Sequence, residues 1–316
     1  MVIKGMNPTS ATGPDGLPLK FFQTFRDIVK PKHSSSVPPS PEMNTEGNGQ
    51  SVLSTLPKEL PLDFLRTITN QFSEDRVLGT GAFGTVYTFL KRLAENAPLP
   101  RDKAITNEVQ NIMALKHDNI VKLVGFCHEG QKRVVLNNGR YIVADVFESL
   151  LCYEYLPKGS LLKNHFDRSN SMAWDTRFKI IKGICNGLLF LHRIPIIHMD
   201  LKPENIFGYI APEYLYRGEI SAQSDIYSLG LLIIETTTGE KNQPKQNEPS
   251  ARDFIENVRQ NWTDGRIASR YSTLKANDLQ EIKVCIKIGL ECVQIDRKKR
   301  PSIENIVQRL DGRCAN

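Results

Sequence analysis

The sequence predicts an α+β chain of two lobes, and three observations carry that prediction. Strand-like stretches cluster before residue 156, helical periodicity dominates after it, and residues 221–238 (SAQSDIYSLGLLIIETTT) are apolar nearly all round, as a helix buried on most sides must be. The 316 residues, 40% hydrophobic and 24% charged, are enough for a sizeable core and exclude wholesale disorder. The net charge of +6 is too thinly spread for a nucleic-acid stripe. No apolar run reaches the roughly 18–20 residues that span a bilayer. The first ten residues lack the apolar core of a signal peptide, and Val2 excludes N-myristoylation. These features point to a soluble, cytoplasmic protein. The six cysteines show no CxxC spacing and read as free, buried thiols.

Composition divides the chain. Residues 1–30 form a small island, and 31–60 are rich in Pro, Ser, Gly and Asn, as in a linker too polar to offset its ordering entropy. Patterning is globular from 61 to 313. Expected strands are Arg76–Tyr87, Ile120–Cys127, Lys132–Leu136, Tyr141–Val146 and Leu150–Tyr155. Ile105, Val109, Ile112 and Met113 share one helical face, predicting a helix near 101–116. Phe178, Ile181, Ile184, Leu188 and Leu191 mark another, and 277–293 and 301–310 complete the second half.

Leu78-Gly79-Thr80-Gly81-Ala82-Phe83-Gly84-Thr85-Val86-Tyr87 fits G-x-G-x-x-G-x-V. Glycines let a backbone lie against phosphates where a side chain would clash. Dinucleotide-binding folds share the pattern, but there a helix follows the last glycine, whereas here β-type TVYTFL follows. A glycine-rich hairpin without a ligand is the plain alternative. His198-Met199-Asp200-Leu201-Lys202-Pro203-Glu204-Asn205 fits H-x-D-x-K-x-x-N, which is far more specific. An Asp must orient the proton of an attacking hydroxyl, a Lys two residues on can neutralise a γ-phosphate, and an Asn three beyond can ligate magnesium.

Glu108 within NEVQNIMALKHDNIVKLVGF, Ala211-Pro212-Glu213, Asp225 in DIYSLG and Arg300-Pro301 follow in order. Together these resemble a eukaryotic protein kinase domain over roughly residues 62–313, most closely the plant receptor-like serine/threonine group. NEVQNIMALKHDNIVKLVGFC, LLCYEYLPKGSL, IIHMDLKPENI and GYIAPEYLYRGEIS carry that closer match. Met199 stands where many kinases have Arg, so the chain resembles the "non-RD" type. The resemblance implies a bilobal fold, with a small β-rich lobe over 61–156 and a larger helical lobe over 157–313. It implies ATP and Mg²⁺ as cofactors and protein substrates or signalling partners, in a family often associated with the plasma membrane. Leu78, Gly79, Gly81, Gly84 and Val86 would cover the nucleotide. Lys91 would hold its α- and β-phosphates and pair with Glu108. Tyr153 would be the gatekeeper, and Glu154 and Leu156 would offer backbone bonds to adenine. Asp200 would be the catalytic base, Lys202 the γ-phosphate partner and Asn205 a metal ligand. Glu213 and Arg300 would pair, and Asp225 would anchor the catalytic loop.

Two departures matter more than the matches. Only Thr88, Phe89 and Leu90 separate Tyr87 from Lys91, fewer than a turn with paired arms requires, so a distorted path to Lys91 is expected. Phe89 also replaces a small residue where adenine needs room. Only five residues separate Asn205 from Ala211, where the family has a hairpin, the Asp-Phe-Gly magnesium motif and the activation segment. Ile206 stands where that Asp would be, and Phe207-Gly208 serves equally as a remnant of the motif or as the start of GYIAPEY. An impaired kinase is expected, with a catalytically dead pseudokinase or interaction module from a rearranged, spliced or misjoined gene as the alternative. Asp200 should be loosely held. Residues 7–29 (NPTSATGPDGLPLKFFQTFRDIV) resemble a short stretch of plant non-LTR retrotransposon reverse transcriptases, without the paired carboxylates of polymerisation. As an isolated helix, its Phe21, Phe22, Phe25, Ile28 and Val29 would share a face capable of weak membrane contact.

Overall fold

A computed structural model describes residues 56–81, 84–87, 90–93, 109, 113, 115–154, 172–199, 201, 209–242 and 251–312. The N-terminal island, most of the linker and most of the 101–116 helix lie outside the described residues. The chain divides into two compact units, one within Ser10–Lys116 and Lys122–Pro157, the other within His117–Val121 and Lys158–Asn316.

The first unit is a six-stranded sheet. Its strands are β1 (Lys58–Glu59), β2 (Val77–Gly81), β3 (Gly84–Tyr87), β4 (Leu90–Leu93), β5 (Leu123–Asn137) and β6 (Arg140–Tyr153), in spatial order β1-β5-β6-β4-β3-β2. Only β1 and β5 run parallel. Alternation sorts the side chains onto two faces. One face buries Tyr87, Leu90, Cys127, Leu150 and Cys152 against Leu60 and helix α1 (Leu62–Ile68), whose Leu62 and Leu65 are one turn apart. The other packs Leu93, Leu123 and Leu151 with Val109 and Met113, which a backbone bond of 2.8 Å joins as one helical turn. Packing thus begins before Leu62: Leu60 is buried, and a Cβ on Gly125 would fall 2.6 Å from its side chain.

Two strand expectations are corrected. Lys132–Leu136 and Tyr141–Val146 are not separate strands but the outer parts of β5 and β6, joined through Asn138-Gly139, both at positive φ (48° and 77°). Asn-Gly is the pair that a two-residue hairpin turn favours. Among the described residues on either side of Thr88-Phe89, the expected distortion of the path to Lys91 is not seen. β3 and β4 pair in regular antiparallel register, Gly84↔Leu93, Thr85↔Arg92 and Val86↔Lys91. The arms come from residues on either side of Thr88-Phe89, so the linker need supply only the two-residue turn.

The second unit is helical: α2 (Trp174–Arg193), α3 (Pro212–Arg217), α4 (Ala222–Thr238), α5 (Arg252–Asn261), α6 (Asp264–Arg270), α7 (Ala276–Cys292) and α8 (Ile303–Leu310). Helix α4 is buried along almost its whole length, as its sequence requires. It approaches α7 at Gly230, where a Cβ would sit 2.5 Å from Cys292 Cβ and 2.9 Å from the Gly289 carbonyl oxygen. Trp174 Nε1 donates to Glu281 at 2.8 Å, tying α2 to α7. Cys127, Cys152, Cys185, Cys285 and Cys292 are free and buried; Cys314 lies outside the described residues.

Candidate active site

The glycine loop is a hairpin of β2 and β3, with Gly79 opposite Val86, Thr80 opposite Thr85 and Gly81 opposite Gly84. Continuing across the sheet, Val86 faces Lys91 and Lys91 faces Leu151. Directly opposed residues project from the same face. Gly79, Val86, Lys91 and Leu151 therefore form one row, and Tyr153 lies two residues along β6 on that same face. Leu78 and Val86 are exposed, at 55% and 41%, while Tyr153 packs against the core. The Glu154 N–H donates to the Lys122 carbonyl at 2.9 Å, and its carboxylate accepts from the Lys122 N–H at 2.7 Å. Glu108 and Leu156 lie outside the described residues.

Sequence reading missed what holds the back of this row. After α1 the backbone passes through three left-handed residues, Asn70, Gln71 and Phe72 (φ 52°, 57° and 58°), a conformation costing about 1–2 kcal/mol per L-residue. Hydrogen bonds offset that cost: Gln71 N–H to the Arg66 carbonyl at 2.7 Å and Phe72 N–H to Thr69 Oγ1 at 3.1 Å. The turn delivers Phe72 beneath the Arg92 guanidinium, 4.9 Å from the ring centroid, and beside Tyr87, whose hydroxyl donates to the Phe72 carbonyl at 3.3 Å. Arg92 makes a two-pronged bond to the buried Glu148 at 2.9 and 2.7 Å. Tyr87 and Arg92 are the chain neighbours of Val86 and Lys91, so this cluster fixes the strands from the opposite face. The three αL positions leave no trace in residue type, since none is glycine.

In the helical unit, Asp225 is 1% exposed and its carboxylate accepts three bonds. Oδ2 accepts from the His198 N–H at 2.7 Å and stands 2.9 Å from His192 Nε2; Oδ1 accepts from the Met199 N–H at 2.8 Å. Met199 adopts positive φ (63°). The two residues before Asp200 are therefore pinned to the first turn of α4. Asp200, Lys202 and Asn205 lie outside the described residues. On the far side, Tyr209 is buried; its carbonyl accepts from Ser228 Oγ at 2.7 Å and its hydroxyl donates to the buried Glu235. Met199 and Tyr209 are thus held to α4 at Asp225 and Ser228, one turn apart.

Glu213 and Arg300 pair in two prongs at 2.7 and 2.8 Å, and Arg300 also donates to the carbonyls of Gln223 and Gln294, both at 2.8 Å. Burial pushes the Glu213 carboxyl up, but the hydrogen bonds from Arg300, its own backbone and Ser224, together with the Arg300 charge, outweigh it and hold the group below its ordinary value. Burial raises the Tyr227 phenol, which lies beneath the Arg300 guanidinium, to about 12.

The protein kinase domain family matches the chain over residues 72–208 and 207–310, two stretches meeting at Phe207-Gly208. The chain belongs to the protein kinase family. Among curated Arabidopsis thaliana relatives, cysteine-rich receptor-like protein kinase 26 is 33% identical over 313 positions, covering 82% of this chain and 44% of the relative. Cysteine-rich receptor-like protein kinase 44 is 31% identical, covering 80% of this chain and 76% of the relative. A G-type lectin S-receptor-like serine/threonine-protein kinase is 33% identical, covering 80% and 34%. The kinase chain spans under half the length of most of these relatives. An alignment of 313 positions that uses 82% of 316 residues leaves some tens of positions filled only in the relative.

Proposed function

We propose that the chain is the kinase portion of a receptor-like serine/threonine kinase that binds ATP in its β-rich unit and transfers the γ-phosphate to protein hydroxyls slowly. The row Gly79–Val86–Lys91–Leu151 carries this reading. It puts a glycine hairpin, an apolar wall and an ammonium on one face, the donor set that a nucleoside triphosphate requires. ATP, when bound, supplies the phosphoryl group. The glycines admit its phosphates, Lys91 offsets their charge, and Tyr153 with the Glu154 carbonyl bounds the adenine, with Leu156 as the further backbone contact. Asp200 orients the attacking hydroxyl, and the Asp225 carboxylate sets the backbone that precedes it.

The magnesium site fits less well. Asn205 is one ligand, but no Asp follows it before Ala211. The segment rooted at both ends on one turn of α4 is also too short for a peptide-docking platform, which favours a nucleotide-binding pseudokinase as the second reading. The non-RD character at Met199 and a retrotransposon origin for residues 7–29 belong to this same proposal. So does the weak peripheral membrane contact of the Phe21, Phe22, Phe25, Ile28 and Val29 face; no described helix is long and apolar enough to cross a membrane. Radiolabelled ATP with a generic protein substrate separates the readings. Phosphate incorporation abolished by Asp200→Asn establishes a kinase; none above background, with ATP still raising the melting temperature, establishes a pseudokinase.

A further inference from the structure

The β5–β6 hairpin continues well beyond the sheet. β1 reaches β5 only at Gly125 and Phe126, and β4 reaches β6 only from Leu150 to Cys152. Further out, to the pair Asn137↔Arg140, the described structure is a two-stranded arm. One face of that arm carries the cross-strand pairs Val134↔Val143 and Leu136↔Tyr141. These four side chains are 67%, 67%, 64% and 78% exposed, and Phe147 extends the stripe at 37%. Monomeric proteins seldom display such a contiguous apolar ladder, which marks an interaction surface.

We infer that the arm face pairs with the same face of a second copy, about a two-fold axis crossing the ribbon at the Val134–Val143 level. The face is self-complementary under that operation. Each valine meets its own copy at the centre. One step away, the charged pair Lys132↔Asp145 lies over Leu136 and Tyr141 of the second copy. There the Tyr141 hydroxyl donates to the Asp145 carboxylate, and the Lys132 stem covers Leu136 while its ammonium stays in water. The charges on the face are one of each sign, so it offers no net attraction to an anionic bilayer or to nucleic acid. Antiparallel stacking also sends the two sheets to opposite ends of the paired arms. Five large side chains per face bury on the order of 1,000 Å² in the pair, the lower limit for a specific interface, so the dimer is weak and concentration-dependent. The pairing is independent of nucleotide binding and catalysis.

Sedimentation equilibrium of the whole chain over the micromolar range tests this. The wild type should dimerise reversibly, and Tyr141→Phe should dimerise several-fold more weakly. Val143→Asp and Val143→Lys should each be monomeric with unchanged melting profiles, because each places like charges together on the axis. Mixing those two variants should restore a dimer. Should either fail to fold, Val134→Asp and Val134→Lys carry the same test on the other strand. A wild type monomeric throughout, a Val143→Asp dimer as tight as the wild type, or a mixture that stays monomeric would overturn the inference. A monomer captured by neutral phosphatidylcholine vesicles would overturn it in favour of a bilayer.

Discussion

Val86 and Lys91 stand directly opposite each other on β3 and β4, with only four residues between them in the chain. So short a hairpin leaves Lys91 no freedom to slide, because a one-residue slip would turn it to the buried face occupied by Leu90 and Arg92. The proposed nucleotide binding therefore depends on this register. Saturating ATP should raise the wild-type melting temperature by linkage, about 2.7 kcal/mol at a hundredfold excess over Kd. Lys91→Ala should lose most of that rise while keeping the ligand-free melting temperature. Identical wild-type curves with and without ATP would show that the site is not formed.

Arg300 is fully buried with Glu213 as its carboxylate partner. Arg300→Met leaves that carboxylate nearly buried and uncompensated, a loss of about 3–5 kcal/mol by chemical denaturation. The pH dependence has a definite sign. Glu213's folded pKa is depressed, so its contribution is present above the unfolded carboxylate pKa and disappears as pH falls through the lower folded value. Glu213→Gln should flatten that acid limb. An unchanged limb would assign acid sensitivity to other carboxylates.

Gly230 and Gly289 let α4 and α7 touch at the backbone. Gly230→Ala puts a methyl into space that Cys292 and a carbonyl already fill, and should cost about 1–3 kcal/mol despite alanine's better helix propensity. Gly265→Ala, where a Cβ meets nothing within 4 Å, is the control and should be neutral or slightly stabilising. Equal effects at both positions would contradict the close approach.

Burial pushes the Cys127 and Cys152 thiols up to about 12. In the folded protein Cys127, Cys152, Cys185, Cys285 and Cys292 should react slowly with a thiol reagent at pH 8, and all should react on unfolding. Because the folded pKa lies above the unfolded one, these groups stabilise the fold fully below about pH 9, and that contribution is lost as pH rises toward 12. Rapid labelling of any of these five in the native protein would refute the buried placement.

Much of the helical unit was legible in the residues, because long periodic segments advertise their buried face. Helix α4, the Glu213–Arg300 pair and the family itself follow from apolar periodicity and from motifs whose chemistry tolerates few residue types. So does the discontinuity after Asn205, since it is a matter of chain length. Tertiary structure alone decided three other things. It showed that Lys91 sits in regular register, because a hairpin draws its arms from strands already present. It merged four strand-like pieces into one long arm, because pairing partners are invisible to a pattern read along one strand. And it placed Phe72 behind the Val86–Lys91 row through three left-handed residues, a conformation set by their hydrogen bonds and not by residue type.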